Sequence, residues 1–337
     1  MSLARPPEEA QHRSAQREAS PVRARRHPQR GAALLMAMLT VTLVATFAAT
    51  ALWQQWRAVE IETAERARVQ SSWVLVGALD WARLILREDA RASTTDHLAE
   101  PWAVPLQESR LSTFLAADRG VASGDEDDLP EVFLSGRIID LQSRLNLTGL
   151  VSDKGELIEK PMAAFTRLFE LLGLPPQDLQ NLAENLRRAH LPNVQDGDVP
   201  LRPQRFDQLA WLGVSPALMQ ALEPYVTVLP EATPVNLNTA SAPVIAASIP
   251  GLDLAGAARL VDVRTHSQLR SVADAAKVLD QAEGLDAAGF SVQTQFFEVQ
   301  GRLRVERSVV NERSLVKRAG SVVTTVWRER APGELLQ

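Results

Sequence analysis

From Gly31 to Trp56 the chain carries no charged side chain, and beyond that point the pattern changes rather than stops. Ala32 to Trp53 is 22 residues, about 33 Å as a helix against a hydrocarbon core of about 30 Å. The stretch that follows, QQWRAVEIETAERARVQSSWVLVGALDWARLILRED, contains no proline and one glycine and alternates apolar and charged positions at helical spacing. Val59, Val69, Trp73, Val76, Leu79, Trp81 and Leu84 supply the stripe predicted to be buried, with Glu60, Glu62, Glu65, Arg66 and Arg68 facing water. One helix is therefore predicted from about Ala32 to about Glu88, its first half in lipid and its second half amphipathic. A cleavable signal peptide has a shorter apolar region, about 7–15 residues, followed by a cleavage site and a break in the helix. Nothing breaks this one, so the run reads as an anchor that stays. Arg23, Arg25, Arg26 and Arg30 ahead of it hold the N-terminus in the cytoplasm by the positive-inside rule and put everything after Trp53 outside.

The patterning further along predicts a small α+β head interrupted by helices. VFLSGRIIDL, Val132 to Leu141, is β-branched and apolar and reads as a strand. FFEVQGRLRVER, SVVNERSLVKR and SVVTTVWRER alternate apolar and polar positions, with breaks at Ser308 and Ala319–Gly320. They predict an antiparallel meander with one face free to pack on the long helix. Between these strands, Lys160–His190, Pro203–Val226 and Thr239–Leu279 read as short amphipathic helices punctuated by LPP, LPN and VSP. The acidic SGDEDDLPE before the first strand reads as a solvated loop.

Composition narrows the chemistry. A net charge of −5 over 337 residues gives no electrostatic footprint for nucleic acid. The absence of cysteine excludes disulfides, thiolate metal sites and cysteine nucleophiles. Of the five histidines, His12 and His27 precede the apolar run, and His97, His190 and His266 have no partner at metal-ligand spacing. His97 lies between Asp96 and Glu100, which admits acid–base chemistry or a metal, or a capped turn ending the long helix. No Gly-x-Ser-x-Gly, His-Glu-x-x-His or phosphate-binding loop is present, and the chain does not read as an enzyme.

A basic leader, Gly31 and an unbroken apolar helix that turns amphipathic together resemble the type IV prepilin layout; an ordinary single-pass anchor with an incidental glycine is the plainer alternative. DHLAEPWAVP (Asp96–Pro105), GRIIDLQSRLNLTGLV (Gly136–Val151) and PVNLNTASAPVIAA (Pro234–Ala247), in that order after such a helix, resemble the minor pseudopilin K family of the type II secretion system, from about Gln29 to about Arg330. The resemblance implies an α+β pilin-like fold in which the long helix packs on a small antiparallel sheet, with a large all-α insertion. It divides the chain into a cytoplasmic leader (1–31), a transmembrane part of the helix (32–53), a periplasmic amphipathic part (54–90), a head (91–150 with 290–330) and an inserted helical domain (151–289).

The resemblance also implies prepilin-peptidase cleavage between Gly31 and Ala32 and N-methylation of Ala32. Most subunits of this class carry a glutamate five residues into the mature chain, where it neutralises a neighbour's N-terminal amine; here that place is Met36. A subunit without that carboxylate suits a position with no subunit beyond it, at the tip of a pseudopilus rooted in the inner membrane. The implied partners are other minor pseudopilins, the prepilin peptidase and exported substrate. Calcium is associated with the family, but only Asp196 and Asp198 of NVQDGDVP stand where its acidic run lies, few for a shell of six to eight oxygens.

One rival reading lies in the insertion. VNLNTASAPVIAASIPGLDLAGAARLVDVR looks like a helix-hairpin-helix, a module that in many proteins grips DNA phosphates through bare backbone amides. A membrane-anchored receptor for DNA or peptide would follow from it. Here Gly251 is present, but Asp253 replaces the second glycine, and Arg259, Arg264 and Arg270 are offset by Asp253, Asp262 and Asp274. That balance is poor for neutralising several phosphates at once, and no nucleic acid is expected. The Ser and Thr of NLNTAS are predicted to cap the helix starting near Ala240.

Overall fold

The computed structural model describes residues 30–112, 131–190, 199–280, 285–286, 288–305 and 308–331. The chain forms two units, residues 1–66 and 67–337. The first helix, α1 (Arg30–Ala92), contains no helix-breaking proline and runs one turn past the predicted end. Within the first unit every described side chain from Gly31 to Arg66 is exposed.

In the second unit, residues 67–92 of α1 lie on a five-stranded antiparallel sheet. Its strands are β1 (Leu106–Arg110), β2 (Val132–Asp140), β7 (Phe296–Val305), β8 (Ser308–Ala319) and β9 (Val322–Ala331), in that spatial order. The predicted meander is β7–β8–β9, with its breaks where the sequence puts them. Alternation fixes the two faces. Leu134 and Ile138 of β2, Phe297, Val299 and Leu303 of β7, Val316 of β8 and Val323 of β9 pack with Leu75, Leu79, Ala82 and Leu86 of α1 and with Trp102. The opposite face carries Phe296, Leu315, Ile139 and Trp327, packed on Leu141 and Leu229.

β2 and β7 pair residue for residue from Val132↔Val305 to Asp140↔Phe297. They form a hairpin whose turn has been replaced by everything between, so the inserted domain leaves and rejoins the sheet at one end. Gly136 faces Gly301 in this pair. A Cβ on Gly136 would stand 2.8 Å from the Gln300 carbonyl oxygen, which explains a glycine in mid-strand.

The inserted part contains α2 (Glu159–Leu171), α3 (Pro176–His190), α4 (Pro216–Leu222), α5 (Ala242–Ser248), α6 (Leu254–His266) and α7 (Val272–Leu279). Two parallel pairs of two-residue strands accompany them: β3 (Leu145–Asn146) with β4 (Val226–Thr227), and β5 (Val235–Asn236) with β6 (Phe290–Ser291). Runs this short have no alternation to detect, and an all-helical reading of the segment passes over them. Leu145, Leu147 and Leu150 pack into the core of this part, alongside Phe165, Leu168, Val244 and Ile245.

Candidate functional site: the N-terminal helix and the node that holds it

Gly31, Ala32 and Met36 all lie in the first turns of α1 and are exposed, Met36 at 66 %. Nothing in the fold demands a glycine at position 31: a Cβ there would meet no atom within 4 Å. From Leu34 to Trp53 the apolar side chains are exposed all round the helix, and the span is long and apolar enough to cross a membrane. The hydroxyls of Thr40, Thr42, Thr46 and Thr50 donate to carbonyls three or four residues back, at 2.8–2.9 Å. Each hydroxyl in the run is thus satisfied within the helix, as lipid requires. Residues 1–29, which hold most of the basic leader, lie outside the described residues, as do Asp196, Asp198 and residues 123–130 of the acidic SGDEDDLPE.

The covered face of residues 67–92 is not the one read from the sequence. Ser71, Leu75, Leu79, Ala82 and Leu86 are buried, spaced four, four, three and four apart. Of the predicted stripe only Leu79 belongs to them. Val69, Trp73, Trp81 and Leu84 are exposed, Trp73 at 71 %. At 100° per residue Val69, Trp73 and Leu84 lie on the far side of the helix from the buried stripe, a side that also carries Asp80, Arg87 and Arg91. The sheet covers the continuous apolar stripe, and the uncovered side mixes large apolar side chains with charged ones.

Past the end of α1 the three family-like segments meet. Ser93, Thr94 and Thr95 end the helix, and Asp96 to Glu100 form a tight turn. The backbone N–H of His97 and the indole Nε1 of Trp102 donate to Glu100 Oε2 at 2.9 and 2.7 Å. The capped-turn alternative for DHLAE is the one the molecule adopts. Arg318 of β8, itself buried, reaches across the sheet to pair with Asp89 at 2.9 Å and with Asp96. Burial, with Glu100 adding like charge, pushes the Asp89 carboxyl up to about 6 against the pull of Arg318; burial also raises Asp96. Asp89, Asp96 and Glu100 offer oxygens within 4.8 Å of one another, a spacing a metal ion would accept. The Arg318 guanidinium already pairs with two of the three, so this arrangement is built for an internal cation.

Asp96 leads directly to the second segment. Its carbonyl accepts from Asn236 Nδ2 at 3.1 Å, and the same amide donates to Asp140 Oδ2 at 3.0 Å. Thr239 and Thr294 hydroxyls donate to that oxygen at 2.5 and 2.7 Å, and the Gln142 N–H donates to Asp140 Oδ1 at 2.7 Å. Burial raises the Asp140 carboxyl to about 6 even so. Thr239 therefore does not cap the following helix. That helix starts at Ala242, and its N-cap residue Ser241 makes no side-chain cap bond. A buried carboxylate needs donors more than an accessible helix end does.

Asp96, Asp140 and Asn236, one from each segment, thus form one buried polar node joining helix, sheet and inserted domain. Sequence reasoning missed Arg318, Asp89 and Thr294. The available signal was a charged residue at an inward position of β8, in phase with Val316.

In the hairpin-like part, Gly251 takes the left-handed conformation, φ 74°. Asp253 caps α6, accepting from the Gly256 N–H at 2.7 Å. Its carboxylate occupies the amides a phosphate would need. Arg264 turns inward to the Leu237 carbonyl oxygen.

Two family models describing the type II secretion system protein K match residues 143–231 and 235–295. The chain is 28 % identical over 329 residues to the type II secretion system protein K of Pseudomonas aeruginosa, covering 90 % of each. It is 31 % identical over 276 residues to that of Klebsiella pneumoniae, covering 73 % of this chain and 78 % of the relative. A chain in the crystal structure of the GspK–GspI–GspJ complex from the enterotoxigenic Escherichia coli type 2 secretion system shares the fold, with a TM-score of 0.62 at 17 % identity over 80 % of this chain and 99 % of that one. These matches, over a chain whose long N-terminal helix, antiparallel sheet and inserted domain share that fold, place this chain in the type II secretion system protein K family.

Proposed function

We propose that the chain is the minor pseudopilin at the tip of the type II secretion pseudopilus, where it initiates assembly with other minor pseudopilins. The observation that carries this is the set of large apolar side chains that α1 leaves uncovered. Val69, Trp73 and Leu84 stay exposed on the helix whose other side is sealed to its own sheet. Large apolar side chains left exposed together mark interaction surfaces, and a neighbouring subunit's helix supplies their cover. The related fold occurs in a chain crystallised as a complex with two other Gsp proteins, which supports partners of this kind.

The tip position rests on Met36. A buried carboxylate in lipid is stable only when paired, and a subunit with methionine there offers no pairing to a chain above it. An insertion of the size seen here is also easier to place once, at an end, than at every step of a shaft. Gly31 and Ala32 are the peptidase junction, consistent with a glycine the fold does not require, and Ala32 is the N-methylated residue. The basic leader keeps the N-terminus cytoplasmic, with the head in the periplasm and the helix in the inner membrane.

The test is co-expression of the full chain with the other minor pseudopilins of its own system, extraction in mild detergent and affinity capture. A stoichiometric complex is the expected result. Recovery of this chain alone, with all subunits present in the extract, would overturn the reading.

A further inference from the structure

The sheet face turned away from α1 and the inserted domain enclose a cavity of about 560 Å³, within the range of small-ligand sites. Three buried N–H groups of residues lining it have no acceptor: Nε of Arg205, Nε of Arg313 and the indole Nε1 of Trp327. These residues are neighbours. Arg205 and Arg313 both pair with Glu329, and the Arg205 guanidinium lies 5.9 Å from the Trp327 ring centre. Asp207 stands 3.6 Å from Arg205 Nε, beyond hydrogen-bonding reach.

A third arginine, the half-buried Arg144, lines the same cavity. Its guanidinium makes no ion pair or hydrogen bond among the described residues, and Glu298 and Glu223 act on it only through space. Burial holds its pKa below the usual arginine value. A buried donor without an acceptor costs about 1–3 kcal/mol, and buried groups of this kind are rare enough in folded proteins to call for a partner. Every unsatisfied group here is a donor, so the missing partner is an acceptor.

We infer that this cleft is a binding site for a carboxylate with an apolar group beside it, held by Arg144 and the Trp327 indole. Planar carboxylates match the arginine fork. Asp207, Glu223 and Glu298 also line the cavity and would repel a doubly charged phosphate, whereas a single negative charge fits among the donors. Leu141, Pro216 and Met219 offer the apolar contact. The carboxylate belongs either to the free C-terminus of a peptide or to a small organic acid.

The full chain in detergent micelles is titrated with a fluorescein-labelled tetrapeptide ending in leucine, and anisotropy is read. The expected result is saturable binding by the free acid and at least tenfold weaker binding by the C-terminal amide. Arg144→Gln weakens the acid about tenfold with an unchanged thermal midpoint. Trp327→Phe, which keeps a ring packed on Leu315, weakens it several-fold. Displacement by N-acetylleucine identifies a small organic acid as sufficient, while displacement by unlabelled peptide alone identifies a chain terminus. Equal binding of acid and amide, an unaffected Arg144→Gln, or no binding of either peptide overturns the site.

Discussion

Leu75→Ala and Trp73→Ala remove apolar side chains two residues apart on opposite faces of α1, and they are expected to fail differently. Leu75 is 2 % exposed and packs with Leu134 and Leu303 beneath the helix. Truncating it leaves a cavity and costs about 2–5 kcal/mol. Trp73 is 71 % exposed, and its loss should move stability by less than about 0.5 kcal/mol. Covering the indole with a partner would take about 150 Å² out of water, worth about 4 kcal/mol at about 25 cal/mol per Å². Trp73→Ala should therefore leave the thermal midpoint of the full chain unchanged in detergent and weaken capture of the other minor pseudopilins at least a hundredfold, while Leu75→Ala lowers the midpoint. Because the chain has no cysteine, Trp73→Cys adds a unique crosslinking handle, which should trap a neighbouring subunit. A Trp73→Ala variant as unstable as Leu75→Ala, or one that captures partners normally, would refute the reading of the uncovered side as a partner surface.

Arg318→Met should strand Asp89 and Asp96 without their buried cation, beside Glu100, and cost about 3–5 kcal/mol at pH 7. The folded-state pKa of Asp89, about 6, lies above its unfolded value, so the folded form binds the extra proton and stability rises as pH falls from 7 towards 5. The Arg318→Met deficit should shrink over that interval, read as thermal midpoints at both pH values; a deficit that grows on acidification would contradict the charge account. Gly136→Ala sets a Cβ 2.8 Å from a backbone oxygen of β7, and a loss of about 1–3 kcal/mol is expected in thermal unfolding; an unchanged midpoint would mean the pair relaxes freely. Met36→Glu should reduce secretion or change the order of assembly, scored by export of a reporter substrate, and wild-type export would remove the tip argument.

Local patterning made much of this fold legible. β7, β8 and β9 follow the alternation and turn signals of their segments, and β2 ends at Asp140, one residue before the expected Leu141. The length of α1 follows from the missing breakers. The phase of its buried stripe did not, because apolar residues stand on both sides of the helix and periodicity alone does not say which the sheet covers. Val69 and Trp73 stay exposed, and Leu75 and Leu86 are the ones the sheet covers. The node was legible only as three short motifs without a geometry. Arg318 meets Asp96 across 222 positions of chain and Thr294 meets Asp140 across 154, and no window along the sequence contains such a pair. Thr239, read as a helix cap, was claimed instead by a buried carboxylate from another segment.

The N-terminus and mass of the protein isolated from membranes, with and without the prepilin peptidase, test the central claim most directly. The expected product is a mature chain beginning at methylated Ala32, replaced by the full-length precursor when the peptidase is absent. An N-terminus still at Met1 in the presence of the peptidase, or a cut beyond Trp53 that releases the head, would contradict it.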